Sequence, residues 1–301
     1  VVSKRRSVTT PVGRYDNCIH IRMTMPESVV FDWVLAPNAG LVQFGTGAGA
    51  YLLNKIPVLQ TPVVDAPPPP VTPLPKGTRT LGLDVNMAAD DDYDKAIDLA
   101  TALGVQTVSL TVNWNDIETA PGVYDMSTLD TADLYYPTKN LRLNLFLITM
   151  DPVGKHVPAD LVVLPMSDPR VIARFNSFVD AVFTRIPRVQ LNFVVIGSEI
   201  NTGLGTDTAA WNQYENFVAA VSHYVRSQRA GLKVGVSATF AALTGPYRLQ
   251  LQRMNPDAIF ASYYPLLSTN DVKEPSAVAY DFDTLTASFP GQAIYFEQLG
   301  Y

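Results

Sequence analysis

Residues 189–201 read VQLNFVVIGSEIN. A mostly apolar run, dense in Val and Ile, turns polar within two positions at Ser198, Glu199 and Asn201. Such a run predicts a strand buried on both faces, as in a parallel sheet covered by helices. A glutamate placed just after it costs free energy unless it meets a partner. Glu199 therefore marks the carboxyl end of a buried strand as a place where chemistry is expected.

The pattern recurs on both sides. Leu81–Asn86 (LGLDVN), Val105–Asn113 (VQTVSLTVN) and Arg142–Met150 (RLNLFLITM) precede it, and Lys233–Thr239, Ala258–Tyr264 and Ala293–Glu297 follow. Helical periods fill the gaps. Asp90–Leu103 has acids at its start, where the helix dipole favours them, and Gly104 at its end. Ser127–Thr138 is next. In Asp168–Ile186 the residues Val171, Phe175, Phe178, Val182 and Ile186 share one stripe before Pro187 stops the helix. In Thr208–Arg229 the stripe is Trp211, Tyr214, Val218, Val221 and Val225. Shorter helices are expected near Pro246–Met254 and Asp283–Phe289. Seven strand–helix repeats predict an α/β fold of the (β/α)8 TIM-barrel type. A doubly wound sheet fits less well, because no phosphate-binding glycine turn follows the first strand. The eighth strand is missing, since the chain stops at Tyr301 just after the seventh. It also opens Val1-Val2-Ser3-Lys4 without a Met. The expectation is a fragment cut at both ends.

Upstream, Thr61–Pro75 (TPVVDAPPPPVTPLP) holds seven of the 23 prolines. It can form neither helix nor central strand and reads as a semi-rigid spacer. The expected division is a β-rich segment over 1–60, as the end of a larger β domain, a Pro-rich linker over 61–78, and the barrel over 79–301. Gly45–Tyr51 (GTGAGAY) lacks the G-x-G-x-x-G spacing and a following capped helix, so it is not read as a nucleotide loop.

Composition sets the outer limits. Twenty-two Lys and Arg against 28 Asp and Glu give a net charge of −6, which argues against a nucleic-acid phosphate binder. Apolar residues at 47% and charged residues at 17% supply ample core. The single cysteine, Cys18, excludes an internal disulfide framework and reads as a small core residue. Three scattered histidines suggest no metal cluster, His156 and His223 being expected on the surface. No run of about 18 apolar residues predicts a transmembrane helix.

In a TIM barrel the chemistry sits at the strands' carboxyl ends. Those ends offer Asp84 and Asn86; Asn113, Trp114, Asp116 and Glu118; Asp151; Ser198, Glu199 and Asn201; Thr239; Tyr263 and Tyr264; Glu297 and Gln298. Glu199 and Glu297 each follow an apolar run. Two carboxylates converging on one mouth are what glycoside hydrolysis needs, one as a protonated acid and one as nucleophile or base.

Four short motifs then carry a resemblance. GSEIN (Gly197–Asn201) resembles the G-N-E-x-N end of strand four in the retaining clan A glycoside hydrolases. FEQLGY (Phe296–Tyr301) is similar to their E-x-G-Y/W end of strand seven, with one extra residue before the glycine. DAIFASYYP (Asp257–Pro265) is similar to strand six of the arabinogalactan endo-β-1,4-galactanases, family 53. WNDIETAPGVYD (Trp114–Asp125) resembles the segment after strand two in several families of the clan. The resemblance covers residues 80–301. It implies Glu199 as acid/base, Glu297 as nucleophile, and retention of configuration at a β-linked poly- or oligosaccharide. It implies Tyr263 or Tyr264 beside Glu297, Trp114 as a sugar platform, and Asn201 ordering a loop or meeting substrate, with no cofactor or metal. Two departures stand out: Ser198 where the clan has Asn, and no strand-two Arg in Leu110-Thr111-Val112. They leave open a catalytically inactive barrel that binds glycan or serves as a structural module of a larger surface protein. The resemblance and the Pro-rich spacer imply export to the cell surface, periplasm or medium. Trp114 remains equally readable as core, and Tyr263 and Tyr264 as packing residues. Glu118 reads as a solvated or helix-capping acid, and Asp90–Asp92 as a solvated helix start.

Overall fold

The structure, a computed structural model, describes residues 3–24, 30–37, 40–45, 50–52, 79–85, 92–267, 269 and 271–300. The linker run 61–78, Asn86, Asp90, Asp91 and Tyr301 lie outside the described residues. The chain divides into two compact units, Val1–Pro75 and Lys76–Tyr301.

The first unit is one antiparallel sheet whose strands neighbour each other in chain order: β1 (Ser3–Thr10), β2 (Gly13–Thr24), β3 (Val30–Ala36), β4 (Gly40–Phe44) and β5 (Tyr51–Leu52). Its buried side collects Val8, Cys18, Val34, Ala36 and Val42, so Cys18 is the small core residue expected of it. The same side buries a charge. Asp32 takes two hydrogen bonds from Arg22, both 2.8 Å, and lies 2.9 Å from His20 Nε2. The Arg22 guanidinium holds the Asp32 carboxyl down, from 3.8 to about 2.

The second unit runs β6 (Gly82–Leu83), α1 (Tyr93–Ala102), β7 (Thr107–Asn113), α2 (Trp114–Ile117), the small hairpin β8 (Glu118–Ala120) and β9 (Val123–Tyr124), α3 (Ser127–Tyr135), β10 (Arg142–Ile148), a second hairpin β11 (Met150–Asp151) and β12 (Gly154–Lys155), and α4 (Pro169–Arg185). It continues with β13 (Leu191–Ile196), α5 (Ile200–Leu204), α6 (Thr208–Gln228), β14 (Lys233–Thr239), α7 (Phe240–Thr244), α8 (Arg248–Arg253), β15 (Ala258–Tyr263), α9 (Pro275–Ser288) and β16 (Ala293–Leu299). Seven strands form one parallel sheet in the order β6-β7-β10-β13-β14-β15-β16, each beside its predecessor. This is the curled sheet of a TIM barrel. The Thr80 side chain, just ahead of the first strand, and that of Asn192 on β13 both act on the Tyr295 hydroxyl on the last strand, so the curl brings the sheet's ends toward each other. Among the described residues β6 and β16 are not paired, which is where an eighth strand belongs.

Alternation along each strand sorts side chains into two cores. Outward residues such as Val194, Ile196, Val234, Val236, Ile259 and Ala261 pack under the helices with Phe175, Phe178, Trp211 and Phe217. Inward residues form a separate cluster of Phe146, Ile148, Phe193, Val195, Ala258 and Phe260, with Tyr295 against it. Its rings meet edge-on or stacked, Phe193 to Tyr295 at 4.7 Å and Phe260 to Tyr295 at 5.1 Å. Gly235 makes room for Phe260: a Cβ there would lie 2.7 Å from the ring. The helices start where capping chemistry allows. Asp168 accepts from Arg170 N ahead of Pro169 in α4, and Asp207 accepts from Ala209 N and Ala210 N in α6. The last helix begins at Pro275, eight residues before the expected start at Asp283; none of residues 275–280 is buried, so its first half carries no core-facing stripe.

Candidate active site

Glu199 is set by a tight break after β13. Gly197 turns at φ +77°, its N–H donating to Leu147 O at 3.0 Å, and Ser198 N–H donates to Met150 O at 3.0 Å. Glu199 itself is left-handed, φ 41° and ψ 45°, and caps the short helix α5. A non-glycine residue held there is strained, and such strain collects at functional sites. Three contacts fix it: its N–H donates to Ser237 Oγ at 3.0 Å, its carbonyl accepts from Thr202 N at 2.9 Å, and Gly197 lies packed below. A Cβ on Gly197 would stand 2.5 Å from Ile200 Cγ2 and 2.6 Å from the Tyr214 hydroxyl. Gly197→Ala is expected to cost about 2–4 kcal/mol in urea unfolding, combining positive φ with overpacking. A cost below about 1 kcal/mol would show that this turn relaxes freely.

Glu297 arrives from the other side. Across β15 and β16, Ala261 pairs with Phe296 but Ser262 pairs with Gln298, so Glu297 is the extra residue of a β-bulge. A bulge is how a strand absorbs one added residue, the departure noted in FEQLGY. Phe296 packs outward on Phe282, 5.1 Å between ring centres, and Glu297 points inward. Ser198 Oγ donates to its Oε1 at 2.7 Å, and Ser237 Oγ donates to its Oε2. Burial pushes the Glu297 carboxyl above its ordinary 4.5. The two serine hydroxyls pull it back, and the negative charges of Glu199 and Asp84 push the same way as burial. Glu199, Glu297, Ser198 and Asp84 thus share one mouth, at the carboxyl end of the sheet. Ser237 is the member that sequence reading missed. Nearby, Ser262 is buried with its Oγ unpartnered.

Other expected site residues are placed differently. Trp114 is not a platform: it is fully buried, 5.1 Å from Phe175 and 6.1 Å from Phe178, with Nε1 donating to Glu118 Oε2 at 2.8 Å. Glu118 is no solvated acid either. It is buried, accepts Gly122 N at 2.8 Å and pairs with Arg174. Tyr263 turns out of the barrel, donating to Asp281 at 2.7 Å and packing on Phe240 and Phe282. Tyr264 stands at the mouth, 46% exposed, but its hydroxyl goes to Gln298. The two serines, not a tyrosine, hold Glu297. Asn201 is spent on the scaffold, accepting Thr239 N at 2.9 Å and donating to Thr239 Oγ1 at 3.0 Å. That clasp ties α5 to the end of β14. His156 is largely buried rather than on the surface, its Nε2 2.8 Å from Asp151 Oδ1. Among the described residues no group of three or more His, Cys, Asp and Glu is arranged to hold a metal, and no helix is long and apolar enough to cross a membrane.

No family model matches the chain, and no curated protein matches it by sequence. Solved structures do match in fold. An exo-β-1,4-mannosidase from Opitutaceae bacterium strain TAV5 is similar at 15% identity and TM-score 0.56, over 73% of this chain and 45% of that one. One of two fungal β-1,4-galactanases is similar at 16% identity and TM-score 0.56, over 73% of this chain and 74% of that one. The GH53 catalytic domain of Ignisphaera aggregans is similar at 17% identity and TM-score 0.54, over 75% and 69%. The chain spans under half the length of the mannosidase it matches. At these identities the likeness is one of fold: the second unit has a (β/α)8-type architecture, with seven parallel strands among the described residues.

Proposed function

We propose that the barrel of residues 79–301 is a β-glycoside hydrolase working by double displacement on a β-linked poly- or oligosaccharide. The observation that carries this is the pairing of Glu199 and Glu297 at one mouth, joined through Ser237, which takes the Glu199 N–H at 3.0 Å and donates to Glu297 Oε2. Ionised Glu297 attacks the anomeric carbon while Glu199 gives its proton to the leaving oxygen. Glu199 then takes a proton from the water that releases the sugar from the Glu297 ester. Every step uses groups of this chain. The β-1,4 linkages for which the similar mannosidase and galactanases are named make β-1,4-linked hexose chains the first substrates to try. Export to the cell surface, periplasm or medium is part of the proposal and rests on that substrate class.

A second reading, a barrel that binds glycan without turnover, draws on one observation: Ser198, where the clan has Asn, is turned onto Glu297. One experiment separates the two. The protein is incubated with β-1,4-galactan, β-1,4-mannan and aryl β-glycosides, and the first-formed anomer is followed by proton NMR. Release of β-anomer supports double displacement, and α-anomer would replace it with inversion. A glycan-dependent rise in melting temperature without release would leave the binding reading.

A further inference from the structure

Ser237 faces into the barrel from β14, which borders β13 directly and is separated from β16 by β15. It is completely buried, in a strand (KVGVSAT) whose other inward and outward residues between Lys233 and Thr239 are apolar. A serine hydroxyl has one proton and two lone pairs. Here a lone pair takes the Glu199 N–H at 3.0 Å, and the proton goes to Glu297 Oε2. The two bonds depend on each other. With its acceptor side engaged by an N–H, the hydroxyl is turned toward the carboxylate as a donor. Ser198 also donates to Glu297, but it is half-buried and nothing comparable fixes its rotor.

Resting on the hydrolase reading above, we infer that Ser237 is the positioning residue that sets the two glutamates against each other, giving its proton to Glu297 and taking the N–H of Glu199. One side chain thereby fixes the nucleophile's oxygen and the strained backbone of the acid/base. The charges acting on Glu297 come from Glu199 and Asp84, both acidic. Neutral hydroxyls do the holding that a cation would otherwise do, and the locked one contributes most. In the glycosyl-enzyme the ester carbonyl at Glu297 still accepts the same bond, so the contact survives both displacement steps.

The test compares the native protein with Ser237→Ala and Ser237→Thr on an aryl β-glycoside, with unfolding curves run alongside. Ser237→Ala is expected to lower kcat about 10²-fold, in the range of losing one fixed hydrogen-bond donor, with KM little changed. The acid limb of its kcat/KM profile moves to higher pH. Ser237→Thr, which keeps the hydroxyl, restores most of the rate and the native acid limb. A purely structural role would move neither the limb nor the Ala–Thr contrast. Native-like kcat and pH profile in Ser237→Ala, or equal impairment in Ser237→Thr, would overturn the inference while leaving the hydrolase reading intact. A carbon-13 NMR titration of the Glu297 carboxyl needs no turnover. A higher midpoint in Ser237→Ala supports the relay even if the native chain hydrolyses nothing, and an unchanged midpoint overturns it.

Discussion

Glu297→Gln is expected to abolish glycoside hydrolysis and to stabilise the fold at neutral pH. The loss should be about 10³-fold or more, because the amide cannot form the covalent intermediate. The gain in stability follows from the raised carboxyl. Burial, with Glu199 and Asp84 nearby, makes the folded protein hold the Glu297 proton more tightly than the unfolded chain does. Between the ordinary 4.5 and the raised folded value, the folded state binds more protons than the unfolded one. Stability at this site therefore falls as pH rises through that window, and the charged form at pH 7 is a cost. Removing the charge removes the cost, so the unfolding midpoint of Glu297→Gln should exceed the native one at pH 7 and converge with it below pH 4. As the proposed nucleophile, Glu297 must be ionised to attack, so the native acid limb of kcat/KM should lie above 4.5. A Glu297→Gln protein that is less stable at pH 7, or that keeps its activity, would refute this account of the site. Many active sites hold strained or desolvated groups at a cost in stability.

The second large effect lies away from the mouth. Arg174→Ala is expected to cost about 3 kcal/mol in urea unfolding, because it strands the Glu118 carboxylate where its side chain has no exposure. Two neutral donors, Trp114 Nε1 and Gly122 N–H, remain and do not balance the charge. Pairing Glu118→Gln with Arg174→Met should recover most of the loss, since a neutral acceptor and an apolar stem suit the site. Equal instability of the single and double variants would mean that Arg174 acts through packing alone. Trp114 depends on this pair. Its indole is anchored between Phe175 and Phe178 by the bond to Glu118, so the conspicuous tryptophan of the sequence serves the core under α4.

The barrel's strand order was legible because parallel strands buried on both faces must be apolar nearly throughout, and six of them run at least six residues. Gly82–Leu83 is only two residues long, and the surrounding LGLDVN reads longer because its pattern, not its pairing, is visible. In the first unit Ser3–Thr10 escaped notice: SKRRSVTT carries three charges, and only pairing with Gly13–Thr24 makes it a strand. Glu199, Glu297 and Ser198 could be found because a polar group after a buried run is conspicuous. Ser237 could not, since a serine inside an apolar strand looks like filler until the sheet curls and brings Glu297 to it. Tyr263 and Tyr264 show the limit of motif reading. Both fit the motif, yet strand alternation sends Tyr263 to the helices and leaves Tyr264 with Gln298.

The ring cluster of Phe146, Phe193, Phe260 and Tyr295 lies directly beneath the two carboxylates, with Tyr295 only two residues before Glu297 on the same strand. On the hydrolase reading it makes the chamber a cul-de-sac: a glycan would not thread through the barrel, so the sugar, the departing half and the incoming water would all use the mouth at the carboxyl end. The departing half must clear that mouth before water can reach the anomeric carbon. A long or sticky leaving chain then slows the second step, and another sugar hydroxyl that lingers there can take the water's place, turning hydrolysis into glycosyl transfer.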